Sequence, residues 1–269
     1  MKRVAIIGCG AIGSELAQAI DRGTVRARLV ALMDIYPEKC VELTKSFSSS
    51  RPLVTRELNE LLSTNPEIVV EAASQEAVRS YGEEILSRGI DLVVLSVGAL
   101  MDEELRKRLV AAAERGDSRI YVPTGAIAAL DAVRALRIVG IERVVLRTRK
   151  PPKSLKLVGK EVDLSSVREP TVVYRGRASE AVRVLPFNVN VSAALSLAAG
   201  MDAEVVVVAD PSTQRNVHEI EIESSASRIT VRIENVPSPR NPRTSYLAVL
   251  SAIELLRKLC SPDRIVVGT

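Results

Sequence analysis

The sequence predicts an α/β chain: a doubly wound parallel sheet, followed by an α+β domain with a mainly antiparallel sheet. Three observations carry that prediction. Short unbroken apolar runs alternate with helical patterns up to residue 122. A glycine-rich turn joins the first run to the first helix. Past residue 123 the apolar runs switch to strict two-residue alternation. The expected organisation is a nucleotide-binding domain over 1–122, an α+β substrate and dimerisation domain over 123–244, and an apolar C-terminal helix within 245–269 that returns to the first domain.

Val4–Ile7 is an apolar run suited to a central strand buried on both faces. It leads into Gly8-Cys9-Gly10-Ala11-Ile12-Gly13, which fits G-x-G-x-x-G, and then into Leu16, Ala19 and Ile20 at helical spacing. Gly8 permits a tight turn, Gly10 removes a Cβ where backbone must approach a pyrophosphate, and Gly13 lets helix and strand pack closely. Gly8, Gly10, Ala11, Ile12 and Gly13 are therefore the candidate phosphate-binding turn, at a helix N-terminus whose dipole favours anions. The next strand, from Ala27, closes on Asp34, 21 residues after Gly13. A carboxylate there is placed to take ribose hydroxyls, so the turn reads as the fingerprint of a Rossmann dinucleotide site. No Arg directly follows Asp34 to receive a 2′-phosphate. The expected cofactor is NAD, with NADP possible.

Helices are predicted over 37–47, 56–62, 75–88 and 102–115, and strands over 68–71, 91–95 and 119–122. In such a sheet the ligand lies beyond the strand carboxyl ends, over 8–13, 72–74, 96–98 and 123–126. A helix over 130–139 and a strand over 143–149 come next, then the basic, proline-rich Lys150-Pro-Pro-Lys153. Strands are predicted over 171–174, 204–209, 218–223 and 229–234, with helices over 179–184, 191–199 and 245–259.

Composition narrows the function classes. Hydrophobic residues make up 46% and charged residues 26% of the 269, a globular balance. The net charge of +4 is spread along the chain without a basic block, and aromatics are only 3% with no Trp. Stacking platforms for single-stranded nucleic acid are therefore absent, and a small anionic substrate suits the charge. No apolar run reaches the length of a membrane span, and the first strand begins too early for a signal peptide. The three cysteines, Cys9, Cys40 and Cys260, form no C-x-x-C and read as a reduced, scattered set. These points together predict a cytoplasmic protein.

His218 is the only histidine. In Asn216-Val-His218-Glu-Ile220-Glu-Ile222-Glu it shares strand parity with Ile220 and Ile222 and points to the covered face. A core imidazole bonded to backbone and a proton-transfer group fit that position equally well. One His and no Cys pair offer no recognisable metal site. Neither Cys40 nor Cys260 has a base beside it to make a nucleophile. Arg149 and Lys150 are the first candidates to grip a substrate carboxylate, although a solvated basic loop also fits them.

Several segments, in order along nearly the whole chain, resemble the L-aspartate dehydrogenase family. They are Ile7–Gly13, Glu71–Gln75, Val94–Gly98, Thr124–Ile127 with Leu130-Asp131, Thr148–Lys150, Asn188–Val191, Ala209-Asp210 with Asn216–Glu219, and Thr244–Ala248. The resemblance implies a homodimeric, NAD(P)-dependent enzyme that oxidatively deaminates L-aspartate to iminoaspartate, which can feed NAD biosynthesis or hydrolyse to oxaloacetate. It implies His218 as the active-site histidine and Ala126 and Asn190 as further cofactor contacts. One departure is Ile127-Ala-Ala-Leu130, where relatives often carry a glycine pair after the Ile. The alternatives are a homoserine-dehydrogenase-like enzyme and a non-catalytic NAD-sensing regulator. Sugar-oxidising relatives would show Glu-Lys-Pro where this chain reads Glu71-Ala-Ala, and dihydrodipicolinate reductase would need a histidine pair.

Overall fold

The computed structural model describes residues 1–155, 164–185, 189–239, 241, 244–261, 264–265 and 267. It forms two compact units, residues 1–123 together with 249–266, and residues 124–248. The first unit runs β1 (Lys2–Ile7), α1 (Ala11–Asp21), β2 (Ala27–Met33), α2 (Pro37–Thr44), β3 (Leu53–Thr55), α3 (Leu58–Ser63), β4 (Ile68–Glu71), α4 (Gln75–Ser87), β5 (Asp91–Val94), α5 (Glu103–Gly116) and β6 (Ile120–Tyr121). The second contains α6 (Leu130–Leu136), β7 (Arg143–Lys150), β8 (Thr171–Arg177), α7 (Ala178–Val184), α8 (Asn190–Ala199), β9 (Glu204–Ala209), β10 (Asn216–Glu223) and β11 (Arg228–Asn235). The last helix, α9 (Tyr246–Cys260), carries the chain back into the first unit.

The first sheet is parallel, in the order β3-β2-β1-β4-β5-β6. The chain builds outward from β1 to β3, then crosses to β4 on the other side of β1. The crevice between the ends of β1 and β4 is thus the topological switch point, where doubly wound sheets bind ligands. β3 carries no sequence signature, since three residues with Leu53 exposed show no pattern. Val4 and Ile6 of β1 enter one core cluster with Leu16 and Ile20 of α1 and Ala252 and Leu256 of α9. The apolar period of α9 is thereby explained by the face it buries.

The second sheet runs β11-β10-β7-β9-β8 and is antiparallel throughout except for β7 against β9. The expected α/β plus mainly antiparallel α+β arrangement is what the molecule adopts. Along β10 the even positions are buried and the odd ones partly exposed from Glu219 onward. Glu219 and Glu221 pair across the outer face with Arg232 and Arg147. Such exposed pairs add little stability each; their use here is to keep that face polar. Among the described residues no helix is long and apolar enough to cross a membrane.

If α9 is a core element of the first unit, truncating fully buried Leu256 must cost as much as a core deletion. Leu256→Ala is expected to lose about 3 kcal/mol in urea unfolding; a loss below about 1 kcal/mol would show a helix that is only draped on the surface.

Candidate active site

The glycine turn is built by backbone contacts that only glycine permits. Gly8 has φ +101°, and a Cβ there would lie 2.6 Å from the Ala72 carbonyl oxygen. A Cβ on Gly13 would lie 1.9 Å from the carbonyl oxygen of Gly8, so α1 crosses the turn in direct backbone contact. Gly10 differs: it is exposed, and a Cβ on it would meet nothing within 4 Å. The space in front of Gly10 is thus the cradle that a side chain would fill. Behind it stand the first N–H groups of α1, which a helix leaves without intrahelical acceptors. Ala11 and Ile12 form the first helical residues, and Ile12 also packs on the core cluster. The turn fits a dinucleotide pyrophosphate.

Asp34 follows β2 and reaches into this turn. Its Oδ2 accepts the Cys9 N–H at 2.8 Å and its Oδ1 accepts the Tyr36 N–H at 2.9 Å. The carboxylate is therefore held in one orientation and keeps lone pairs for hydroxyl donors. Across the switch point, Glu71 at the end of β4 is buried. It accepts the N–H groups of Ala73, Ser74 and Ser96 and the Ser96 hydroxyl at 2.8 to 2.9 Å. Burial pushes its carboxyl above the usual range against the pull of those bonds. Glu71 ties the two loops 72–74 and 96–98 together. Sequence reasoning gave it no role, because nothing in a single chain signals which donors will converge on an acid.

The cysteines correct the sequence reading. The fold brings Cys40, on α2, to Cys9 in the glycine turn, and the two are joined as a disulfide with Cα atoms 5.5 Å apart. Thirty-one residues separate them, so spacing alone could not reveal the pair. Cys260 stays free, and burial pushes its thiol up to about 11, a poor nucleophile.

In the second unit the register of β10 against β7 sets Thr148 opposite His218. Thr148 Oγ1 and His218 Nδ1 are 3.0 Å apart, while Nε2 is buried and finds no hydrogen-bond partner among the described residues. Lys150 lies two residues along the same buried face of β7. Burial, and then the Lys150 charge, push His218 down to about 3, so the imidazole is neutral. Burial also pushes the Lys150 ammonium down to about 8. Arg149 takes the opposite parity, half-exposed, and pairs with Asp210 at 3.6 Å. Of the two basic candidates, the structure brings Lys150 to His218 and commits Arg149 to Asp210.

The carbonyl of Ala126 accepts from Asn235 Nδ2 at 3.0 Å, which also reaches the Asn216 carbonyl at 3.4 Å. That network anchors the 124–127 loop to the start of β10, two residues from His218. Asn190 opens α8 and is exposed; Asn188 of the same segment lies outside the described residues. The departure at Ala128-Ala129 has a structural counterpart, for Ala129 sits at φ +63°, a left-handed conformation natural to glycine. A cleft of about 960 Å³ opens nearby, lined by Pro151, Lys153, Pro211, Asn216 and Pro237 among others, but neither His218 nor Lys150 lines it.

Residues 131–259 match the family model described as aspartate dehydrogenase, C-terminal. Residues 8–123 match that for the homoserine dehydrogenase NAD binding domain. An L-aspartate dehydrogenase of Methanosarcina barkeri is 44% identical over 271 residues, covering 98% of this chain and 99% of the relative. Another, from Nitrosopumilus maritimus, is 42% identical and covers 100% of both chains. The chain belongs to the L-aspartate dehydrogenase family. A crystal structure of aspartate dehydrogenase from Thermotoga maritima aligns over 100% of both chains at 29% identity, with a TM-score of 0.77. An amine dehydrogenase from Mycobacterium smegmatis, 16% identical with a TM-score of 0.57, covers 95% of this chain and 92% of its own, and shares the fold alone. The likeness to these relatives runs over nearly the whole of the chain, and the homoserine dehydrogenase NAD binding domain model matches its nucleotide-binding half.

Three outcomes follow from this geometry. Gly10→Ala should leave stability within about 0.5 kcal/mol yet weaken NADH binding roughly tenfold or more, since its Cβ enters ligand space and not protein. Gly13→Ala should instead cost about 3 kcal/mol in urea unfolding. Ala129→Gly should gain roughly 0.5–1 kcal/mol by relieving the left-handed alanine. For pH, His218 titrates near 6.5 when unfolded and near 3 when folded, so between those values the unfolded chain binds the extra proton. Stability should therefore fall as pH drops from 6.5, by about 1.4 kcal/mol per unit from this group. His218→Asn removes that part of the slope; parallel slopes in the two proteins would contradict it.

Proposed function

We propose that this chain oxidises L-aspartate to iminoaspartate, with NAD preferred and NADP as the second cofactor. Family membership, with 98% of the chain aligned to a named L-aspartate dehydrogenase, supports the substrate. The observation that carries the mechanism is the buried, neutral His218 with an unpartnered Nε2 beside Lys150. A bound nicotinamide would supply the acceptor for the Cα hydride, while the lone pair of the substrate amine would form the imine. The chain's own residues do the rest. His218 donates its Nδ1 proton to Thr148 Oγ1, which leaves the Nε2 lone pair free to take a proton from the substrate ammonium. Lys150 receives a substrate carboxylate, and the arriving negative charges raise the proton affinity of the imidazole, which burial holds low in the free protein. Released iminoaspartate hydrolyses to oxaloacetate and ammonia.

The nucleotide is assigned to Gly8, Gly10, Ala11, Ile12, Gly13 and Asp34; the family resemblance alone supports Ala126 and Asn190 as further cofactor residues. Asp34 supports NAD over NADP, because a 2′-phosphate would meet its carboxylate. The family resemblance further supports a cytoplasmic homodimer that supplies pyridine nucleotide synthesis.

The test is absorbance at the reduced-nicotinamide band with L-aspartate and NAD or NADP. Turnover is expected with both, faster with NAD, and His218→Ala should lose roughly 10²–10⁴-fold in kcat. Lys150→Met should raise KM for aspartate by roughly tenfold or more while leaving NADH binding unchanged. An NADH-binding protein with no turnover on L-aspartate would retire the substrate and favour a nucleotide sensor. A His218→Ala variant as fast as the parent would remove His218 from the chemistry.

A further inference from the structure

Cys9 and Cys40 sit where the nucleotide-binding turn and its acidic partner are joined. Cys9 is the residue between Gly8 and Gly10, and its N–H is the donor that holds Asp34 Oδ2 at 2.8 Å. Cys40 lies on α2, the helix that starts three residues after Asp34. The bond between them therefore closes a small ring: from the Cys9 sulfur to Cys40, back along α2 to Asp34, and from the Asp34 carboxylate to the Cys9 N–H. Both sulfurs and an Asp34 carboxylate oxygen lie within 4.8 Å of one another. The cysteine side chains face inward. Cys9 is 6% exposed and Cys40 is fully buried, both in the core cluster with Leu32, Leu43 and Phe47, whereas Gly10 faces outward. The disulfide thus braces the turn from behind and takes no space from a ligand.

We infer that Cys9 and Cys40 form a thiol–disulfide modification site that sets the nucleotide affinity of the glycine turn. In the oxidised form the turn, Asp34 and the start of α2 are one covalent unit, so the ribose carboxylate is already oriented when the nucleotide arrives. Reduction by a dithiol transfers two electrons and two protons. The Cys9–Cys40 bond breaks, each sulfur leaves as a thiol, and the reductant closes its own disulfide. Asp34 then depends on two backbone N–H bonds alone, and binding must order what the brace had held. The inference rests on the nucleotide reading of this turn but not on L-aspartate as substrate.

The experiment uses the full chain, dithiothreitol as reductant and NADH as probe. Thiols are counted after denaturation, and NADH affinity is measured by fluorescence in the oxidised and fully reduced states. The chain has three cysteines, so the oxidised protein should show one thiol and the reduced protein three. Reduction should weaken NADH binding roughly fivefold, the cost of ordering about one mobile group. Cys40→Ser should bind like the reduced parent and no longer respond to dithiothreitol. Three thiols in the oxidised sample would overturn the inference, as would equal affinity in both states or a Cys40→Ser variant that still responds. Failure of oxidised protein to bind NADH at all would instead strike the nucleotide reading itself.

Discussion

A closed protein interior that leaves an imidazole nitrogen without a partner has accepted a cost of about 1–3 kcal/mol. His218 Nε2 is such an atom, and the second unit is arranged around keeping it so. The pairing of β10 with β7 determines what His218 meets, because side chains alternate faces along each strand. At this register Thr148 stands opposite and Lys150 follows on the same side. A slip by one residue would turn His218 out beside Arg147 and Arg232 and carry Glu219 and Glu221 into the covered face instead. The unfavourable burial of those charges is what holds the register, and the register is what holds the imidazole neutral beside a cation.

The first unit solves a different problem by a different means. A phosphate site needs backbone N–H groups at an open surface, and it achieves this by removing side chains. Two glycines allow α1, β1 and the 72–73 backbone to touch, and a third leaves the outward space clear. Two carboxylates then fix the loops around that opening. Asp34 holds the turn from the β2 side, and Glu71 holds 72–74 and 96–98 from the β4 side. The first unit supplies rigid backbone, while the second supplies titratable side chains in a dry setting.

Much of this was legible from residues alone, for identifiable reasons. The glycine turn and Asp34 are local, so their spacing carries the geometry. The parity of His218 with Ile220 and Ile222 is also local, and the burial of its face followed from it. What could not be read is whatever depends on contacts between distant segments. Thr148 reaches His218 across 70 residues, Ser96 reaches Glu71 across 25, and Cys40 reaches Cys9 across 31. Arg149 and Lys150 are neighbours of like charge, and only the covered side of β7 separates an ion-paired surface arginine from a buried lysine. The glycine pair missing at Ala128-Ala129 was visible as a departure, but its meaning needed the left-handed φ of Ala129.

The central claim is that His218 is a neutral base with a free Nε2 in the resting enzyme. Because the chain has a single histidine, a sample labelled with ¹⁵N at histidine gives one imidazole and two ring-nitrogen signals, with no assignment problem. The account predicts a ring that keeps the neutral pattern, protonated at Nδ1, from pH 8 down to the onset of acid unfolding. An imidazole that titrates near 6.5 in the folded protein would contradict it.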